Sequence, residues 1–209
     1  MKLKDLQSII TNSAIDETSS MSKEFCYCEE RLICSKIVEN LQRNHGCIAL
    51  NEAPYYDGSS SDSFADIKVF YGDGNRSELW IEIKPILKGY NYWNFSKFYW
   101  KKKLAPKHYQ SRSIVLDDID KMLKGPDPSD NVCQAFCFLL IIEADEGQLL
   151  EDPSKPSRGS SLTPGQIIYQ VNLRFEELVK KEKGSCIEKV TITKDGYCSL
   201  SWLAEWRVL

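Results

Sequence analysis

Two strand-like segments joined by a run of turn formers constrain this chain more than any other feature. Ala65 to Tyr71 and Glu78 to Pro85 are apolar, with aromatic and β-branched residues among them, as strands are. Between them stands Gly72-Asp73-Gly74-Asn75-Arg76, which supplies the left-handed backbone that tight reversals need. The pattern predicts an antiparallel hairpin. Folding the chain at 73–75 brings Asp66 opposite residues near 81–82. Residues two apart on a strand share a face, so Glu82 and Lys84 point the same way.

The remaining elements follow from periodicity and punctuation. Residues 1–24 read as a short helix carrying Leu3, Leu6, Ile9 and Ile10, followed by a loop. Phe25, Leu32, Ile33, Ile37, Val38 and Leu41 recur at helical spacing and predict a helix over 25–43, stopped by Asn44-His45-Gly46. A short strand is expected over 47–51. Helices are expected over 90–104 and 116–123, and a buried strand over 132–144, where the run Ala135–Ile142 is wholly apolar. A loop rich in Pro, Ser and Gly covers 151–165. A long helix follows over 164–183, with Ile167, Ile168, Val171, Leu173, Phe175, Leu178 and Val179 as its apolar face. Two strands, 186–193 and 197–208, close the chain around Lys194-Asp195-Gly196. This order predicts an α/β fold, a central mixed sheet flanked by helices. At 209 residues the chain suits one domain, with 150–209 completing it.

Composition excludes several classes. No apolar run approaches the ~18 residues of a membrane-spanning helix, and the start Met1-Lys2-Leu3-Lys4-Asp5 lacks the apolar core of a secretion signal. The expected compartment is the cytoplasm. The eight cysteines are therefore expected as thiols, and Cys26-x-Cys28 and Cys133-x₃-Cys137 do not repeat a zinc-ribbon spacing. Net charge is −3, but its distribution is uneven. From Ile83 to Leu116 there is no Asp or Glu, while Lys84, Lys88, Lys97, Lys101, Lys102, Lys103, Lys107 and Arg112 all fall there. Local charge sets the field a ligand meets. Lysines of this block suit phosphates, and its many aromatics suit either base stacking or the core.

The hairpin carries the chemistry. Asp66 and Glu82 on paired strands lie within reach of one ion. With the carbonyl of Ile83 and water they make a ligand set for Mg²⁺ or Mn²⁺, which favour oxygen donors. An ammonium beside such a centre, Lys84, can orient an attacking water or stabilise charge on a transferring phosphoryl group. The alternative is an amphipathic strand whose Glu82 and Lys84 face solvent.

Asp66, fifteen intervening residues and then Glu82-Ile83-Lys84 resemble the D…(D/E)-x-K signature of the PD-(D/E)XK nuclease superfamily. The match extends by order of elements over about 25–145, with Ala65 where the family usually has proline. The resemblance implies a restriction-endonuclease-like fold and a Mg²⁺-dependent endonuclease. Asp66 and Glu82 would be its metal ligands and Lys84 its catalytic lysine. It also implies a glutamate from the preceding helix near the metal, for which Glu30 is favoured over Glu29. The expected partner is nucleic acid, DNA before RNA, contacted by Lys88, Lys97, Lys101, Lys102, Lys103 and Lys107. The size suits a type II restriction enzyme, as a homodimer, or a small nuclease of defence or repair. The alternative is a catalytically inactive module of the same fold that binds nucleic acid or protein.

Overall fold

The structure is a computed structural model, and it describes residues 1–25, 30–54, 64–72, 74, 77–86, 133–150, 163–181 and 185–206. Its strands are β1 (Ile48–Pro54), β2 (Phe64–Tyr71), β3 (Ser77–Ile86), β4 (Cys133–Glu143), β5 (Ser185–Lys194) and β6 (Tyr197–Trp206). Its helices are α1 (Leu3–Phe25), α2 (Glu30–His45), α3 (Glu146–Leu149) and α4 (Pro164–Lys181). The strands form one mixed sheet in the order β1-β2-β3-β4-β6-β5. Only β3 and β4 run parallel; every other neighbouring pair is antiparallel. No described helix is long and apolar enough to cross a membrane.

β4 explains why the sheet has helices on both faces. Phe136, Phe138, Leu140 and Ile142 pack with Trp80, Leu200, Trp202 and the α4 residues Ile167, Val171 and Phe175. The alternating set Ala135, Cys137, Leu139 and Ile141 packs with Leu6 and Ile10 of α1 and with Ile33, Ile37 and Leu41 of α2. A strand covered on both sides has no solvent face to mark with polar residues, hence the unbroken apolar run. Burying each large side chain of this kind contributes about 1.5–3 kcal/mol.

Local signals set most element ends. Gly46 takes φ 62° just beyond α2, the left-handed exit expected of a helix-ending glycine. Thr163 caps α4: its Oγ1 accepts from the N–H of Gln166, whose Oε1 accepts from the N–H of Thr163. Pro164 fits the first helical turn, where its missing N–H costs nothing.

Five expectations are corrected. The 1–24 segment is not a short helix and loop but one helix of 23 residues, continuous to Phe25. Its buried face includes Gln7 and Thr11, both fully buried. Gln7 Nε2 donates to Ser201 Oγ at 3.0 Å, and Thr11 Oγ1 lies 2.8 Å from the same oxygen. Next, α2 starts at Glu30, later than expected, and Leu32 is 44% exposed. Leu173 is likewise exposed rather than part of the α4 core stripe. Finally, β1 continues beyond residue 51 to Pro54. The expected helices over 90–104 and 116–123 lie outside the described residues.

The β2–β3 hairpin also holds a buried charge pair that nothing in the sequence singled out. Lys68 lies opposite Trp80 and Glu78 opposite Phe70, so Lys68 and Glu78 are diagonal neighbours. Lys68 Nζ is 2.7 Å from Glu78 Oε1, and their side chains are 6% and 10% exposed. The ammonium also sits 4.2 Å from the centroid of the Trp80 ring, in the range of a cation–π contact.

Candidate active site

The β2–β3 ladder runs from Tyr71–Ser77 to Ile67–Ile81. Beyond that last pair, the Ile83 N–H donates at 2.6 Å to Oδ2 of Asp66. A side chain from β2 thus takes the place of a strand carbonyl, and this fixes the Asp66 carboxylate against β3. In an extended strand the N–H and C=O of one residue point to the same edge, so the Ile83 carbonyl also faces Asp66. Meanwhile β3 stays paired with β4 through Glu82–Phe138, Lys84–Leu140 and Ile86–Ile142, which holds its acidic segment straight.

Glu82 is 4% exposed and lies close enough to the Asp66 carboxyl to lower its pKa. Lys84 Nζ lies 3.1 Å from Oε2 of Glu30, the first residue of α2. The structure therefore gathers Asp66, Glu82, Lys84 and Glu30 at one end of the sheet. Glu29 lies outside the described residues, as do Lys88, Lys97, Lys101, Lys102, Lys103 and Lys107.

Electrostatics confirm the crowding. The Asp66 carboxyl is pushed up to about 6 from 3.8, by burial first and by the negative charge of Glu30 second. The Ile83 N–H, Lys84 and Glu82 pull it down without cancelling the rise. Cys34, one turn along α2 from Glu30, has its thiol pushed up by burial and then by Asp66, Glu30 and Glu82.

The carboxyls can be weighed as ligands for a hard divalent ion. With all three carboxyls ionised, Glu30, Asp66 and Glu82 outnumber the single ammonium of Lys84. Among the described residues, no group of three or more His, Cys, Asp or Glu is placed to hold a metal ion. A centre here would thus rest on Asp66, Glu82, the Ile83 carbonyl and water, and Mg²⁺ is the ion that retains water and accepts so few protein ligands.

One consequence concerns stability without metal. The folded Asp66 pKa exceeds its unfolded value, so its contribution to stability is full below about pH 4 and is lost as pH rises through about 6. Asp66→Asn keeps an acceptor for Ile83 and removes the charge. In EDTA at pH 7 it is expected to stabilise the protein by about 1–3 kcal/mol, a gain that shrinks towards pH 4.5. Urea unfolding at the two pH values reads the difference; an equal effect at both would exclude ionisation as the cause.

Beside the carboxylates is a cleft of about 610 Å³. Glu30, Arg31, Cys34 and Ser35 of α2 form one wall, and Asn51 and Glu52 of β1 with Phe64, Ala65 and Asp66 of β2 form the other. Arg31 Nε lies 3.4 Å from Glu52 Oε1. Of these residues, sequence reasoning found Glu30 and Asp66 and assigned Arg31, Asn51, Glu52 and Phe64 no role. The available signal was the position of Phe64, two residues before Asp66. Compared with family models, with curated proteins and with solved structures, the chain matches none.

Proposed function

We propose that this protein is a metal-dependent nuclease that hydrolyses phosphodiester bonds in DNA, with a restriction-endonuclease-like fold. The observation that carries the proposal is the Asp66 carboxyl, buried against Glu82, hydrogen-bonded to Ile83 and pushed up to about 6. Burying like charges together is costly and recurs where chemistry needs them.

In this reading Asp66, Glu82 and the Ile83 carbonyl hold Mg²⁺ or Mn²⁺. The bound ion supplies a Lewis acid that offsets charge growing on the phosphate oxygens. Lys84 places its ammonium beside the phosphate and orients the attacking water. Glu30 is a positioning residue, since its ion pair holds the Lys84 chain at the site. In sequence, β3 is followed by the acid-free run of lysines, whose charge suits a polyanion. The preference for DNA, and a place among type II restriction or defence and repair nucleases, rest on the D…(D/E)-x-K resemblance.

The test is nicking of supercoiled plasmid by purified protein. Cleavage with Mg²⁺ or Mn²⁺ and none in EDTA is expected. Mg²⁺ at 100 times its Kd should also stabilise the fold by about 2.7 kcal/mol, an effect lost in Asp66→Ala. Absence of nicking with either metal would overturn the proposal.

A further inference from the structure

We infer that the cleft beside Asp66 receives one unpaired nucleobase adjoining the phosphate to be cut, so that DNA with single-stranded nucleotides is the favoured substrate. The inference rests on the nuclease reading and names its substrate class. Its starting point is size. A cleft of about 610 Å³ falls among pockets that hold one small molecule. It has room for a nucleoside.

Charge decides which part of a nucleotide enters. The lining holds three acids, Glu30, Glu52 and Asp66, against one base, Arg31. Such walls do not draw phosphate away from the proposed metal site. They suit the amino and imino donors of a nucleobase edge, which carboxylates accept. Asn51 adds an amide able both to donate and to accept.

Phe64 supplies the remaining requirement. It is 47% exposed, a large ring on an otherwise polar wall. An unpaired base exposes its face, and stacking on an aromatic ring is the general way proteins hold one. Because Asp66 belongs to both the cleft and the proposed metal site, a base in the cleft lies next to the reacting phosphate.

Glu52 shapes the same wall. It takes φ 49°, a left-handed backbone that costs a non-glycine residue free energy and recurs at functional sites. That conformation, in a strand and with no glycine, sets its carboxylate in the cleft wall beside Arg31. Arg31 and Glu52 are largely exposed, at 85% and 65%, so their pairing is easily exchanged for a ligand.

The experiment compares kcat/KM with Mg²⁺ for a single-stranded oligonucleotide and for the blunt duplex of the same sequence. Wild type is expected to cut the single strand about tenfold faster or more. Phe64→Ala should lower single-strand cleavage about 5–150-fold, the equivalent of one stacked base, and Phe64→Trp should restore it. A ring that served only to pack the strand would not show rescue confined to unpaired substrate. If the duplex is cut as readily as the single strand, or Phe64→Ala cuts single strands like wild type, the inference falls. With Lys84→Ala inactive in that same assay, the nuclease reading still stands. Failure of wild type to cut either DNA sinks both.

Discussion

On the nuclease reading, Lys84→Ala lowers Mg²⁺-dependent DNA cleavage by about 10²–10⁴-fold, the range of a positioned proton-handling or charge-stabilising group. The fold should survive. The Lys84–Glu30 pair is partly buried, with side chains 17% and 34% accessible, so its loss costs more than the about 0–1 kcal/mol of a surface pair and less than the about 3–5 kcal/mol of a fully buried one. A loss of activity far larger than the fall in urea stability is therefore the expected signature. Asp66→Asn makes the same point from the opposite direction: it should inactivate while stabilising the metal-free protein. Single-turnover cleavage and equilibrium unfolding on both variants read the two quantities separately. If both variants cut like wild type, Asp66 and Lys84 have no part in the chemistry.

The largest expected loss of stability lies elsewhere in the hairpin. Lys68→Ala or Glu78→Ala leaves one charge of the 2.7 Å pair buried without its counter-charge. Removing one member of a buried pair costs about 3–5 kcal/mol, a large part of the 5–15 kcal/mol typical of a whole domain. Replacing both, as in Lys68→Met with Glu78→Leu, should be near neutral or stabilising, because two desolvation costs disappear together. Chemical denaturation tests this, with a shift in midpoint at constant m expected for the single variants. Single variants as stable as wild type would show that water reaches the pair.

The legible part of this fold was the part written in local patterns. The β4 run, the periodicity of α2 and α4, and the Asp-Gly reversal at 195–196, where both residues take positive φ, speak for themselves. The register that brings Asp66 to Glu82 also followed from the hairpin. The full length of α1 did not, because Gln7 and Thr11 break its apolar stripe. They belong inside only because Ser201 on a distant strand completes their hydrogen bonds. The same holds for Lys68 and Glu78, which look like ordinary strand-surface charges until each is seen to need the other. Leu32 and Leu173 fail in reverse: helical spacing marks them as core, but no layer covers them. The cleft walls were hidden because α2, β1 and β2 meet there only in three dimensions.

The bond from Gln7 to Ser201 spans 194 positions, and α1 packs chiefly on α2, β5 and β6. During synthesis α1 leaves the ribosome well before β6, and its seat on β6 exists only once that strand has emerged. At about 5–20 residues per second, that leaves an amphipathic helix waiting on the order of ten seconds or more. Its docking on the sheet therefore follows the synthesis of β6.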